Sequence, residues 1–307
     1  MSVLMLKHVL IVFLLLYVSM GAKASENLSD HEVFCMKTDQ DCLTYIQSRL
    51  LNTQKNSSNW YKLKTYEFDY YFDYQKFDNL HSALSPFVDQ EELPGAFKIQ
   101  VYFYYAKSLN YLGDKQQAKA YAAKAFAQLD EIYNVFGDPL RLVELANLQH
   151  IFGDKKKALR VLLDAEKRYA KSSDAIFHFE LHINKGHIYY NWQQYPQAIE
   201  SNLKAYNAIK RTKHDAKTVI ALGNLAFSYF KHNDFNNAVK YYKTAFDYIE
   251  PDSIYQATYS LRLAQSYWEL GNKTQAALWL NKIDRTKVEF SKSHAKVYEN
   301  LLHELKN

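Results

Sequence analysis

Glycine and proline are scarce in this chain, with 8 Gly and 5 Pro among 307 residues. So few excludes a collagen-like or low-complexity polymer and argues against an all-β fold built on many tight turns. The only two cysteines, Cys35 and Cys42, are not spaced as C-x-x-C, the usual mark of a redox-active pair. Beyond residue 20 no apolar run is long enough for a transmembrane helix. Charge of one sign is missing too: 38 Lys plus Arg face 33 acids, a net +5 spread along the chain without a basic tail or stripe. That gives a nucleic acid no electrostatic footprint. What is present is apolar material, 48% hydrophobic and 16% aromatic, enough for a sizeable core in which helices dominate.

Residues 1–24 read as a secretory signal peptide. Lys7 and His8 precede the apolar run Val9 to Met20, and Gly21, Ala22, Lys23 and Ala24 then offer an A-x-A cleavage pattern. The run falls short of the roughly 20 residues that span a bilayer. The expected product is an exported chain without a membrane span, located in the periplasm, with secretion as the alternative. Export makes a structural disulfide between Cys35 and Cys42 the expected use of the two thiols. On one continuous helix those positions would lie about 10 Å apart, too far to bridge, so the segment between them must turn.

From residue 99 onward one pattern recurs: an apolar stretch, a small residue, a break, then an alanine five residues later. The breaks stand at Gly113, Gly153, Gln193, Asn233 and Gly271. Small residues Ala106, Ala146, Gly186, Ala226 and Ala264 precede them, and Ala118, Ala158, Ala198, Ala238 and Ala276 follow. Glycine or asparagine at a break can take the left-handed conformation that ends a helix, and the following Asp114, Asp154, Asp234 or Asn272 can cap the next. Each unit is a helical hairpin whose small residues let two antiparallel helices approach closely. A degenerate earlier unit spans 59–98, five regular units span 99–290, and 291–307 forms a capping helix; 25–58 holds the cysteines.

These units resemble the tetratricopeptide repeat (TPR), most fully in Ala226, Tyr229, Phe235, Ala238, Tyr242, Ala245 and Pro251. The roughly 40-residue spacing exceeds the usual 34 of that family. The resemblance implies an all-α, right-handed α-solenoid and a non-enzymatic scaffold or adaptor in the cell envelope that binds a protein or peptide partner. The chaperone-type clamp for a C-terminal carboxylate is not implied, because Val143, Ile183 and Ile220 stand where basic residues would be expected.

Catalytic signatures are missing: there is no phosphate loop, no G-x-S-x-G and no H-E-x-x-H. His178 and His182 lie one helical turn apart, but Phe179 occupies the place of a catalytic Glu, and partly exposed helix histidines are the simpler reading. No cofactor or metal is implied. By register the first helices line a concave groove with Phe103, Asn110, Asn147, His150, Asn184, His187, Tyr190, Asn191, Asn224, Phe227, Phe230, Arg262, Gln265 and Trp268. Asn184, Asn224 and Arg262 form one row, where amides can pair with an extended peptide backbone. His150, Tyr190, Phe230 and Trp268 form a second, a candidate apolar floor. Besides the adaptor, two other classes remain: a sensory module that docks to a separate membrane signalling protein, and an enzyme acting on cell-wall glycan, for which no catalytic carboxylates stand out.

Overall fold

The structure, a computed structural model, describes residues 40–136 and 139–306. The signal-peptide segment 1–24 and Cys35 lie outside the described residues, and with them the expected disulfide; Cys42 is buried and is not a free thiol. The described residues form 14 α-helices and one short 3-10 turn, Ser85–Phe87, and include no strand.

Helix α1, Gln40–Leu51, packs on the first of six hairpins. Each hairpin pairs an inner with an outer helix: α2 (Ser58–Asp73) with α3 (Phe77–Leu84), α4 (Gly95–Leu112) with α5 (Lys115–Phe136), and α6 (Pro139–Phe152) with α7 (Lys155–Arg168). The series continues with α8 (Ala175–Asn191) and α9 (Tyr195–Ile209), α10 (Asp215–Lys231) and α11 (Phe235–Ala245), then α12 (Ile254–Glu269) and α13 (Lys273–Leu280). A final helix, α14 (Lys292–Lys306), packs on α12 and α13 and buries Leu301 there. Successive inner helices touch, as do consecutive helices along the chain, which is the nearest-neighbour stacking of a solenoid.

The repeat residues sit where close packing needs them. Ala106, Ala146, Ala226 and Ala264 on inner helices and Ala118, Ala158, Ala198, Ala238 and Ala276 on outer ones are all wholly buried. Aromatic and aliphatic side chains fill the space between hairpins, with Phe68, Phe177, Phe179 and Tyr242 the largest at under 2% exposure.

Turn chemistry follows the same logic with one exception. Gly113, Gln193, Asn233 and Gly271 all have positive φ, and so does Gln75 between α2 and α3. After them Asp114, Asp154, Asp234 and Asn272 accept backbone N–H bonds from the next helix, as expected of caps. Gly153 departs from expectation: it is not left-handed. Its N–H donates to the Gln149 carbonyl at 3.0 Å, and the Gln149 side chain accepts from the Asp154 N–H at 3.3 Å. A side chain there does what the left-handed turn does elsewhere.

The superhelix brings distant hairpins together. The Tyr255 hydroxyl, at the start of α12, donates to the Asp73 carbonyl at the end of α2, 2.9 Å away and 182 residues distant in sequence. Its hydroxyl also bonds the Gln75 side chain. The inner helices therefore curve around a shared space.

Candidate functional site: a chamber inside the solenoid

Positions counted back from each turn define three rows on the inner helices. Nine residues before the turns stand Tyr66, Tyr104, Glu144, Asn184, Asn224 and Arg262; six before, Asp69, Lys107, Asn147, His187, Phe227 and Gln265; three before, Phe72, Asn110, His150, Tyr190, Phe230 and Trp268. One geometry serves both ends of the solenoid, but the two ends use it differently.

In the first four hairpins the rows line a chamber of about 580 Å³. Its walls are Tyr66, Asp69, Tyr70, Phe72, Asp73 and Tyr74 from α2, Gln100, Phe103, Tyr104 and Lys107 from α4, and Val143, Glu144 and Asn147 from α6. Glu180 and Asn184 of α8 and Lys217 of α10 complete them, with Cys42 of α1 at one side. Polar contacts cross from helix to helix. The Tyr104 hydroxyl donates to Asp69, the Gln100 amide to Glu144 at 3.3 Å, the Lys217 ammonium to Glu180 at 2.8 Å, and the Asn147 amide to Asn184. Lys107 lies over the faces of Phe103 and Phe72, with its ammonium 3.9 and 4.4 Å from the ring centroids.

Enclosure shifts the protonation of these groups. Burial, partly offset by the Tyr104 hydrogen bond, pushes the Asp69 carboxyl up to about 7. Burial raises Asp73 as well. It lowers Lys107 to about 8, against the attraction of Glu180, Glu144, Asp73 and Asp69. Lys217 is also desolvated, yet Glu180 and the aspartates hold its value above that of an ordinary lysine.

The sequence-predicted groove residues divide between two places. Asn147, Asn184 and Phe103 line the chamber. Beyond it, the same rows pack on themselves: His187 hydrogen-bonds Asn224, and the Tyr190 and Phe227 rings are 5.4 Å apart. Phe227 stacks near Phe230, and the Arg262 guanidinium lies 4.5 Å over Phe227 while donating to Gln265 at 2.8 Å. His150 is buried and bonded to the exposed Asn191 at 3.1 Å; Asn110 is exposed. Gln265 and Trp268 border a second cavity of about 210 Å³ against α14.

The charged members were missed by sequence reasoning. Tyr66, Asp69, Tyr104, Lys107 and Glu144 occupy the rows already named, one to three hairpins upstream, so extending the register was the available signal. Gln100 and Glu180 share a further register, thirteen before the turn, one helical turn behind the first row; Asp73 and Lys217 lie off these rows, and the superhelical curvature brings them in. His178 bonds the Ser172 carbonyl at 2.8 Å and His182 faces Glu166 at 3.9 Å. Among the described residues no group of three or more His, Cys, Asp or Glu could hold a metal ion, and no helix is long and apolar enough to cross a membrane.

A family model described as tetratricopeptide repeat matches residues 219–251. Among solved structures, that of the APC/C hetero-tetramer Cut9–Hcn1 aligns with a TM-score of 0.55 at 16% identity, over 89% of this chain and 47% of that one. The chain thus spans about half the length of that relative. The apo form of RapI aligns with a TM-score of 0.54 at 14% identity, over 87% of this chain and 76% of its own. The apo form of the quorum sensor NprR from B. thuringiensis gives 0.54 and 14%, over 85% and 74%. At such identities the likeness concerns the fold. Comparison with curated protein sequences returns no match.

Proposed function

Because the chain is a tetratricopeptide-repeat solenoid, we propose that it is a binding scaffold that holds a segment of a protein or peptide partner inside the chamber. One observation carries this reading. Five successive inner helices converge on a single space and supply it with aromatic side chains and hydrogen-bonding groups. Apolar walls with a few placed polar groups suit a peptide segment, whose backbone needs both donors and acceptors. The fold relatives support the reading only in outline: Cut9 assembles with Hcn1, and NprR is a quorum sensor.

An envelope location rests on the residue pattern of 1–24, and N-terminal sequencing of the mature chain tests it. A sensory role, with the loaded chain docking on a separate membrane protein, would need a second surface. The turn edge offers one, where Tyr111, Leu112, Ile151 and Leu270 are each more than a third exposed.

Site-specific photo-crosslinking in the native cell separates chamber from surface. With a benzophenone side chain in place of Phe103, inside the chamber, adducts carrying a foreign peptide are expected. In place of the exposed Lys119 on α5 they are not. Adducts from Lys119 alone would overturn the chamber as the binding site.

A further inference from the structure

Donors and acceptors in the chamber do not balance. The Asn184 amide donates to the Glu180 carbonyl at 2.8 Å, which fixes its orientation and presents its oxygen to the Asn147 amide. The Asn147 oxygen is then left over: it is shielded from water and has no hydrogen-bond partner. Of the chamber's donors, Lys217 is engaged on Glu180, Tyr104 on Asp69 and Gln100 on Glu144, while Lys107 lies on the Phe72 and Phe103 rings. Asp73 lines the same space and feels the attraction of Lys217 and Lys107, but among the described residues it makes no ion pair within 4 Å. In charge, four carboxylates (Asp69, Asp73, Glu144 and Glu180) face two lysines, Lys107 and Lys217. The acceptors left over call for a further donor, and the excess of acidic groups favours one with positive charge.

We infer that the chamber receives a basic side chain, arginine or lysine, of the bound segment, which is held by Asp73, Asp69 and the Asn147 oxygen. The inference rests on the chamber being the segment-binding site and names the chemistry of its occupant. A guanidinium fits best, because its five N–H donors meet several separate acceptors. An entering cation also displaces the proton that Asp69 holds near neutral pH, so affinity rises with pH through 7.

The test probes the full mature chain with an array of dodecapeptides of varied composition, followed by titration of retained peptides in solution. Retained peptides are expected to be several-fold richer in Arg and Lys than the array. Asp73→Asn and Asp69→Asn, which keep the hydrogen-bonding shape, should each weaken a retained basic peptide about tenfold while leaving a retained neutral one unchanged. Thermal melts of both variants check the fold. Retention without basic enrichment, or enrichment that both variants preserve, overturns the cation site while the segment-binding reading stands. If no peptide is retained and a benzophenone at Phe103 captures nothing, both fall. Binding of spermidine with no peptide retained also overturns the inference, since it would make a free amine the occupant.

Discussion

The two ends of the inner face carry the same register and opposite outcomes. Ten residues before the turn, Phe103 and Val143 point into the chamber, whereas the equivalent position in the fifth hairpin is Gly223. There the Tyr259 ring of the next hairpin fills the space a side chain would occupy, and its hydroxyl donates to the Val219 carbonyl at 2.9 Å. Six before the turn, Lys107 and Asn147 line open space, but Phe227 is sandwiched by Tyr190 and Arg262. A shared repeat geometry thus fixes where side chains go, and the neighbours decide whether the space is filled from within or left for a partner.

The largest effect should come from adding a side chain at Gly223, where the later half is already filled. A methyl group on Gly223 would overlap the Tyr259 hydroxyl, which is buried and cannot swing into solvent. Gly223→Ala is expected to destabilise the chain by about 2–4 kcal/mol through overpacking and the loss of that hydrogen bond. A urea melt measures it; an unchanged midpoint would mean that the hairpins slide apart freely, contrary to the packing described.

Next in size is a pH effect within the chamber hairpins themselves. Asp69 has a folded value of about 7 against an ordinary 3.8, so between those values the folded chain holds the proton more tightly and stability falls as pH rises. His150 and His182, buried and lowered to about 4, act in the opposite sense: their contribution is present above 6.5 and is lost as pH falls through 4. Asp69→Asn can still accept from Tyr104. It should raise stability at pH 8 by roughly 1–3 kcal/mol and leave it unchanged near pH 4. A variant no more stable at pH 8 than the wild type would show that the carboxylate is ordinary and the chamber wet.

A smaller effect tests the filled half. Arg262 joins Phe227, Gln265 and His294 of α14, the last at 3.1 Å. Arg262→Ala should cost about 1 kcal/mol by loosening the final helix, and should not change peptide retention by the chamber. Lost retention with an intact fold would extend the binding surface into the rows that now appear self-packed.

Legibility followed the same division. The hairpins, the buried alanines and most turns were readable because each rests on local chemistry repeated five times. The rows of the groove were readable too, and Asn147 and Asn184 were placed in them. What the sequence could not convey was curvature: Asp73 and Lys217 share a chamber because the solenoid turns far enough for Tyr255 to reach α2, and no local pattern records that. Nor does a register reveal that Phe227 and Phe230 pack on their own neighbours, since the same aromatic type serves an open floor or a filled one.

The smallest expected effect concerns the turns, where chemistry diverges while geometry holds. Gln193 and Gln75 have φ of 58° and 56°, close to Asn233 at 63°, although a side chain there meets its own backbone. The hydrogen bonds are the same in each: the N–H of the left-handed residue reaches back three residues, and the following N–H reaches back five, as Gln194 does to Tyr189 at 2.9 Å. Gly271 makes the same pair of bonds without that strain. Gln193→Gly should therefore stabilise the chain by about 0.5–1 kcal/mol, the relief of the left-handed penalty less the entropy that glycine adds to the unfolded state. Gly153→Ala, at the one turn that is not left-handed, should gain nothing from conformation and must push aside the Gln149 side chain that caps it. Opposite signs for these two substitutions in parallel melts would confirm that the solenoid closes its hairpins by two different devices; equal signs would leave one device and an unexplained glycine.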